Sequence, residues 1–246
     1  MMKLQQSLIV GLVAVSLVAC GVSDTVEEAA VAPVESVEAT SEVEQELITA
    51  RVAAAPSCDS LAYDQGRTDC VLALGEDMLV FFDYGPVEDD GFRGASALTI
   101  AVNPFDGGDY QTFEETVSSS GNPELADVNN DGLLELMVPT YLGNVNTNWS
   151  VYQQLDGALD KAGEVSGLGL SYDDQSGLAA ISARSSAVSW VIERYRLDEA
   201  GLTLVYALNT DMAEQTCSLD QGPAFAASGL NANDILTRCE AGMGEE

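Results

Sequence analysis

The run Val188-Ser189-Trp190-Val191-Ile192-Glu193-Arg194-Tyr195-Arg196-Leu197 carries the clearest structural signal in the chain. In an extended chain Val188, Trp190 and Ile192 fall on one face, and Ser189 and Glu193 fall on the other. This alternation with a period of two indicates a half-buried β-strand. The turn Glu199-Ala200-Gly201 separates it from a second strand-like run at residues 202–208. Residues 188–208 therefore predict β-structure.

Short runs of the same kind recur from residue 70 onward, separated by turns rich in Asn, Asp, Gly and Pro. Helical periodicity is weak near the C-terminus, where residues 226–236 could hold one short helix at most. We therefore expect an all-β domain, small, antiparallel, and propeller-like or sandwich-like. The predicted strands are residues 70–74, 78–84, 97–102, 110–115, 133–138, 149–155, 178–183, 188–197 and 202–208.

The N-terminus has the features of an export signal. Lys3 precedes a mostly apolar run at residues 8–18, which is too short to span a bilayer but suits a signal-peptide core. The run ends in Leu17-Val18-Ala19-Cys20-Gly21, which resembles a lipobox. We expect a signal peptide at residues 1–19 and acylation of Cys20, since several acyl chains on one residue anchor a protein stably. Gly21 resembles the outer-membrane sorting pattern, which predicts a lipid-anchored protein facing the periplasm of a bacterium.

A change of composition follows the anchor. Residues 22–56 are mostly Ala, Val, Glu, Ser and Thr without an aromatic residue, and Arg51 is their only base. Such a segment has little to bury and its acids repel one another. We expect a disordered acidic tether at residues 20–56 and a folded domain at residues 57–246. The spacing of Val and Glu over residues 34–47 also allows a transient helix.

The charge of the chain limits its partners. It has 40 Asp and Glu against 9 Lys and Arg, a formal net charge of −31. This charge argues against nucleic acid and against an anionic membrane as a partner of the folded body. It would suit a basic partner, although solubility or salty surroundings would explain it equally.

Enzymatic activity is not expected. The chain has no histidine, which removes Ser-His-Asp and Cys-His catalysis. The pairs Asp89-Asp90 and Asp173-Asp174 are candidate acid–base carboxylates or ion ligands, but in so acidic a chain they are better explained as solvated turns. A glycosidase needs two carboxylates at a set separation, which the sequence does not display.

The cysteines predict two disulfides. Besides Cys20 the chain has Cys58, Cys70, Cys217 and Cys239, an even set in an oxidising compartment. Four cysteines allow three pairings, and we favour the sequence neighbours Cys58–Cys70 and Cys217–Cys239. A metal site built from them is not expected, because there is no His and no Cys-x-x-Cys.

The strongest local motif is Asp127-Val128-Asn129-Asn130-Asp131-Gly132-Leu133-Leu134-Glu135. Oxygen side chains at its positions 1, 3, 5 and 9 can converge on a cation when the chain coils tightly, and a glycine permits that coiling. So many hard oxygen ligands suit Ca²⁺. The predicted ligands are Asp127, Asn129, Asp131, Glu135 and the carbonyl of Leu133. The motif is not an EF-hand, because position 12 is Val138. An Asn/Asp/Gly hairpin without an ion is the alternative.

This Asp-x-Asn-x-Asp-Gly-x-x-Glu-Leu stretch resembles the calcium loop of FG-GAP and VCBS repeats. Its setting resembles a narrower family, the immunity lipoproteins found beside bacterial-killing type IV secretion effectors. The resemblance covers about residues 97–206. It implies a propeller-like β fold with a calcium loop and inhibition of a lysozyme-like glycosidase. The other matching segments are residues 98–100, 110–113, 143–144, 149–152, 195–197 and 201–204.

The sequence departs from these patterns at three places. Asn130 and Glu135 stand where the repeats more often carry Gly or Phe and Asp, respectively. Related inhibitors of invertebrate-type lysozyme use a Ser-Gly-x-x-Tyr loop, whereas Ser120-Gly121-Asn122-Pro123-Glu124 lacks the Tyr. No inhibitory residue is transferred on this basis.

Three functions follow as hypotheses. The favoured one is an outer-membrane-anchored lipoprotein that binds calcium and acts as an immunity protein against a peptidoglycan glycosidase. The second is a structural or adhesive envelope lipoprotein whose calcium only stabilises the fold, and the third is a carboxylate-based hydrolase. Residues 141–149 are a candidate recognition loop, although an ordinary connection with Trp149 in the core fits them better.

Overall fold

The computed structural model describes residues 42–62, 67–75, 78–88, 94–103, 108–119 and 121–243. These residues belong to one compact unit, Val37–Glu246. The predicted signal peptide, Cys20 and tether residues 20–41 lie outside the described residues, as do Asp89, Asp90 and Ser120. Among the helices of the described ranges, none combines the length and apolar character that a membrane span requires.

Three antiparallel sheets make up the fold, and in each of them neighbouring strands follow the order of the chain. The first sheet contains β1 (Cys70–Leu74), β2 (Met78–Tyr84), β3 (Ser96–Val102) and β4 (Gln111–Val117). The second contains β5 (Glu124–Ala126), β6 (Glu135–Leu142), β7 (Thr147–Leu155) and β8 (Ala158–Gly167). The third contains β9 (Leu170–Asp173), β10 (Leu178–Arg184), β11 (Ser189–Asp198), β12 (Gly201–Asp211) and β13 (Thr216–Gln221).

The expected antiparallel β fold is therefore confirmed. All nine predicted strands overlap an observed one, and β1 and β2 have the predicted bounds. Four strands were not predicted, namely β5, β8, β9 and β13.

The second sheet is buried on both faces. On one face Leu136, Val138 and Tyr152 join a core cluster with the first sheet. On the other face Met137 and Val151 join a cluster with the third sheet. Because side chains alternate across a strand, burial on both faces explains why residues 135–139 of β6 are all buried.

The end of the expected tether is folded, which corrects that prediction for residues 42–54. Glu42–Ala54 forms helix α1. Its Arg51 guanidinium bonds to both carboxylate oxygens of Asp83 and, at 2.8 Å, to Asp69, and it lies 5.4 Å from the ring centre of Phe81. The composition of residues 42–54 offers few large apolar side chains for burial. The contacts of Arg51 with the first sheet nevertheless stabilise the helix, and they join residues that are distant in sequence, so local composition does not indicate them.

The two disulfides join the predicted partners. Cys58 pairs with Cys70 at the start of the first sheet, and Cys217 pairs with Cys239. The second bond links β13 to helix α3 (Ala232–Met243). The single helix expected at residues 226–236 is two helices, because Gly229 adopts a left-handed φ of 74° between α2 (Phe225–Ser228) and α3.

Candidate metal centre

The predicted calcium motif lies between β5 and β6, and we call residues 127–135 the acidic loop. The chain coils through left-handed conformations at Asn130 (φ 60°) and Gly132 (φ 89°). A Cβ on Gly132 would meet no atom within 4 Å, so backbone conformation rather than space favours glycine there. The coil persists through Leu133 and Leu134, so β6 begins at Glu135 and not at residue 133 as predicted.

Three of the predicted ligands hold the loop together through their side chains. Asp127 accepts hydrogen bonds from the amides of Asp131 (3.2 Å) and Gly132 (3.0 Å). Asn129 Oδ1 accepts from the same Asp131 amide at 3.1 Å, and Asn129 Nδ2 donates to Asp131 Oδ2 at 2.8 Å. Asp131 Oδ1 accepts from the amide of Leu133 at 2.8 Å. The side chains at positions 1, 3 and 5 therefore converge on one turn.

Glu135, the fourth predicted side-chain ligand, lies at the end of the loop. It is only 1 % exposed, and its Oε2 accepts a hydrogen bond from the amide of Val128 at 2.8 Å. Burial, with a further contribution from the negative charges of Asp131 and Asp127, raises the pKa of Glu135 to about 7, although the hydrogen bond from Val128 opposes this rise. A buried carboxyl beside two other carboxylates is stabilised as an anion if a cation joins the group.

The donors of the acidic loop are of mixed chemical type. Within the described ranges, no three His, Cys, Asp or Glu side chains cluster closely enough to define a metal site by themselves. The predicted set also includes an amide and a carbonyl oxygen, from Asn129 and Leu133, and all five residues belong to the acidic loop. Carboxylate, amide and carbonyl oxygens are the ligands that Ca²⁺ takes in flexible geometry. The residues present therefore fit calcium by donor type.

One supporting residue was not predicted. Gln154 of β7 donates from Nε2 to the carbonyl of Leu134 at 2.9 Å, at the end of the acidic loop. Because it lies 20 residues away along the chain, no local pattern could have identified it.

The other candidates have structural explanations. Trp149 is 6 % exposed and packs in the core between the second and third sheets, as the alternative for residues 141–149 expected. Tyr141 and Val145, at the tip of the same hairpin, are 40 % and 41 % exposed. Asp173 pairs with Arg194 at 3.0 Å, so this carboxylate is held by an ion pair.

The fold and the site together define an antiparallel three-sheet β protein with a coiled acidic loop. No family model matches the chain, and no curated protein matches it significantly. A solved structure of a Xanthomonas type IV secretion system related protein is a structural neighbour. It is 14 % identical, has a TM-score of 0.44, and the match covers 65 % of this chain and 90 % of that one.

Proposed function

We propose that this chain is a periplasmic lipoprotein, anchored in the outer membrane through Cys20, that binds calcium in the acidic loop and inhibits a peptidoglycan glycosidase as an immunity protein. The observation that carries the calcium part is the convergence of Asp127, Asn129 and Asp131 on one turn. The lipobox-like N-terminus supports the anchor, and the family resemblance supports the target.

The electrostatics of the loop favour a divalent cation. Asp127, Asp131 and Glu135 are three acids within the nine residues of the acidic loop, and the negative charges of Asp131 and Asp127 oppose the ionisation of Glu135. A bound Ca²⁺ would replace this repulsion with attraction and would complete the loop with oxygen ligands only.

Calorimetric titration with Ca²⁺ tests the site. We expect the mature chain (residues 20–246, with Cys20→Ser to keep it in solution) to bind one Ca²⁺ and to prefer it to Mg²⁺. Asp131→Ala should abolish binding, whereas Asp160→Ala, an exposed acid on β8 with no part in the loop, should leave it unchanged. Equal loss in both variants, or no heat of binding in the wild type, would remove calcium from the proposal.

Exposed apolar side chains support a protein partner. Tyr141, Val145 and Leu168 are 40 %, 41 % and 53 % exposed, and all three lie at or next to turns of the second sheet. Tyr is enriched among the residues that anchor interfaces, which makes Tyr141 the candidate anchor. The net charge of −31 would attract a basic enzyme. In the proposed mechanism calcium stiffens the acidic loop and the start of β6, and the loop at the other end of β6 blocks the enzyme's cleft.

The partner is tested by capture and inhibition. Immobilised mature chain is exposed to envelope and secreted extracts in calcium and in chelator, and retained proteins are identified by mass spectrometry. We expect a peptidoglycan glycosidase in calcium only. Purified, that enzyme should clear a cell-wall suspension more slowly with wild-type chain than with Asp131→Ala, while Asp160→Ala should inhibit like wild type. Retention of no lytic enzyme in either buffer would favour the structural or adhesive alternative.

A further inference from the structure

The two disulfides lie in different surroundings. Cys58 and Cys70 are each 1 % exposed and belong to the core cluster that the first and second sheets share. Cys217 and Cys239 are both partly exposed, and they belong to none of the three buried clusters found in the described ranges. Cys217 lies on β13, an edge strand of the third sheet, and Cys239 lies on helix α3. The first bond is therefore enclosed by the core, whereas the second joins two elements at the surface.

Helix α3 has little apolar burial to hold it in place. Among residues 232–242, the part of the helix whose side chains the structure describes, Ile235 alone is buried, at 4 % exposed. Ile235 belongs to a small cluster with Tyr206 of β12 and Phe225 of α2, and Ala232 is partly buried against this cluster. A helix of 12 residues does not persist in water without tertiary contacts. The attachment of α3 therefore depends mainly on one buried side chain and on the disulfide.

Helix α3 covers apolar side chains of the third sheet. Leu208 of β12 and Leu219 of β13 are opposite each other in register, and both pack against the cluster that contains Ile235. These two leucines are only partly buried even with α3 in place. Departure of α3 would therefore expose an apolar face of the sheet, and such a face is detectable because apolar molecules bind to it.

We propose that the Cys217–Cys239 bond is a redox switch, which a dithiol reductant opens selectively and which thereby releases α3 from the third sheet. A thiolate of the dithiol attacks one sulfur of the bond, the S–S bond breaks, and the other sulfur leaves as a thiolate. The second thiol of the reductant then attacks the mixed disulfide and displaces the protein sulfur. Two electrons and two protons have then passed to the protein, which holds two thiols, and the reductant has become a disulfide.

The selectivity of the switch follows from the different cost of opening each region. The attacking thiolate needs access to a sulfur atom. Local opening of α3 breaks few buried apolar contacts, so it takes little free energy and gives access to the second bond. Access to Cys58–Cys70 requires opening of the main core, which takes much more. The switch requires neither calcium nor the proposed glycosidase, so it goes beyond the proposed function and fails or stands separately from it.

Limited reduction followed by alkylation tests the selectivity. The mature chain with Cys20→Ser is incubated without denaturant in dithiothreitol or in reduced thioredoxin, and free thiols are blocked with iodoacetamide at intervals. Peptide mass spectrometry gives the alkylated fraction of each cysteine. We expect Cys217 and Cys239 to be alkylated at least about tenfold faster than Cys58 and Cys70, and urea to remove the difference. Equal rates without urea, faster reduction of Cys58–Cys70, or no reduction of Cys217–Cys239 would overturn the proposal.

Amide hydrogen exchange and dye binding measure the release of α3. In the selectively reduced protein, exchange in residues 232–243 should rise about tenfold or more, while exchange in the first and second sheets stays the same. Fluorescence of the neutral dye Nile red should rise as well, and oxidised glutathione should reverse both changes.

The double variant Cys217→Ser/Cys239→Ser should show the same two changes without reductant. Cys58→Ser/Cys70→Ser is the matched control and should leave exchange in α3 unchanged. The limited reduction of the wild type serves if either variant does not fold. Selective reduction of Cys217–Cys239 with unchanged exchange in α3 would show that the bond is not a switch.

Discussion

At the scale of single residues, Glu135 links the chemistry of the acidic loop to the stability of the fold. It is buried at the start of β6 and bonded to the Val128 amide, and Val128 is itself fully buried in the core between the second and third sheets. Its pKa is raised from the ordinary 4.5 to about 7, first by burial and then by Asp131 and Asp127. The folded metal-free protein therefore holds this proton more tightly than the unfolded chain does.

The free energy of unfolding of the metal-free protein should fall as pH rises from 4.5 to about 7. Below pH 4.5 Glu135 is protonated in both states, between 4.5 and 7 only the folded state keeps the proton, and above 7 neither does. The contribution is therefore fully present below 4.5 and lost by about pH 7. It amounts to about 3 kcal/mol in the free energy of unfolding. Urea unfolding in chelator across this pH range measures it.

Glu135→Gln is the control for that pH dependence. It cannot ionise, so its unfolding free energy should vary less between pH 4.5 and 7 than that of the wild type, by about the same 3 kcal/mol. In the wild type, calcium should stabilise more at pH 8 than at pH 5, because carboxylates must lose their protons to bind it. A wild type and a Glu135→Gln variant with the same pH profile would show that Glu135 is not the titrating group.

The site's side chains could be predicted because they are close in sequence. Positions 1, 3, 5 and 9 of the motif define a turn, and the structure brings Asp127, Asn129 and Asp131 together in it. The burial of Glu135 could not be predicted, since it depends on a sheet that is covered on both faces. The contact of Gln154 with the loop depends on strand register in the same way.

At the scale of elements, helix α1 is attached to the first sheet mainly through Arg51. The side chain of Arg51 is 37 % exposed and meets Asp69 and Asp83, while Gln45 accepts from the amide of Tyr110 at 3.0 Å. The proposed tether therefore ends near residue 41, and a recombinant domain should include α1.

Arg51→Ala should release α1 from the sheet. Because the pair is partly exposed, we expect the free energy of unfolding to fall by only about 1 kcal/mol. Amide hydrogen exchange in residues 42–54 should rise clearly, because the helix is too short to persist without tertiary contacts. Glu46→Ala, at an exposed position of the same helix, is the control and should change neither quantity. Unchanged exchange in Arg51→Ala would show that other contacts hold the helix.

The Cys217–Cys239 disulfide should stabilise α3 locally. It closes a separation of 22 residues between β13 and α3, against 12 for Cys58–Cys70. Replacing either pair by Ser should cost about 3 kcal/mol. Only the Cys217/Cys239 variant should speed amide exchange in α3, and the Cys58/Cys70 variant is the matched control. Equal exchange in α3 for both variants would contradict this local role.

The strands differ in how well sequence predicts them, for physical reasons. β1 and β2 are compact apolar runs between turn residues, so their bounds were predicted correctly. β8 was missed because it contains Ala, Gly and Lys, and because a register shift opposite Val151 and Tyr152 interrupts its alternation. β13 was missed because it is an edge strand without a buried face. Helix α1 was anticipated only as a transient helix over residues 34–47, because its stability comes from contacts with the first sheet.

At the scale of the whole molecule, the acidic loop joins the first two strands of the sheet on which the other two sheets pack. β6 follows the loop directly, and its side chains enter the clusters shared with the first sheet and with the third. A cation bound in the acidic loop would therefore stabilise the whole domain. Its removal would also lower the stability of the strands that pack against β6. Strand β6 therefore connects the proposed calcium site at its start with the proposed inhibitory surface at its other end.

The most direct test is the thermal unfolding midpoint of the mature chain at pH 8, in calcium and in chelator. Calcium at a hundredfold excess over Kd should add about 2.7 kcal/mol, or roughly 5–10 °C in the midpoint for a domain of this size. Asp160→Ala should show the same shift and Asp131→Ala none. Identical wild-type midpoints in calcium and in chelator would contradict a calcium-binding acidic loop.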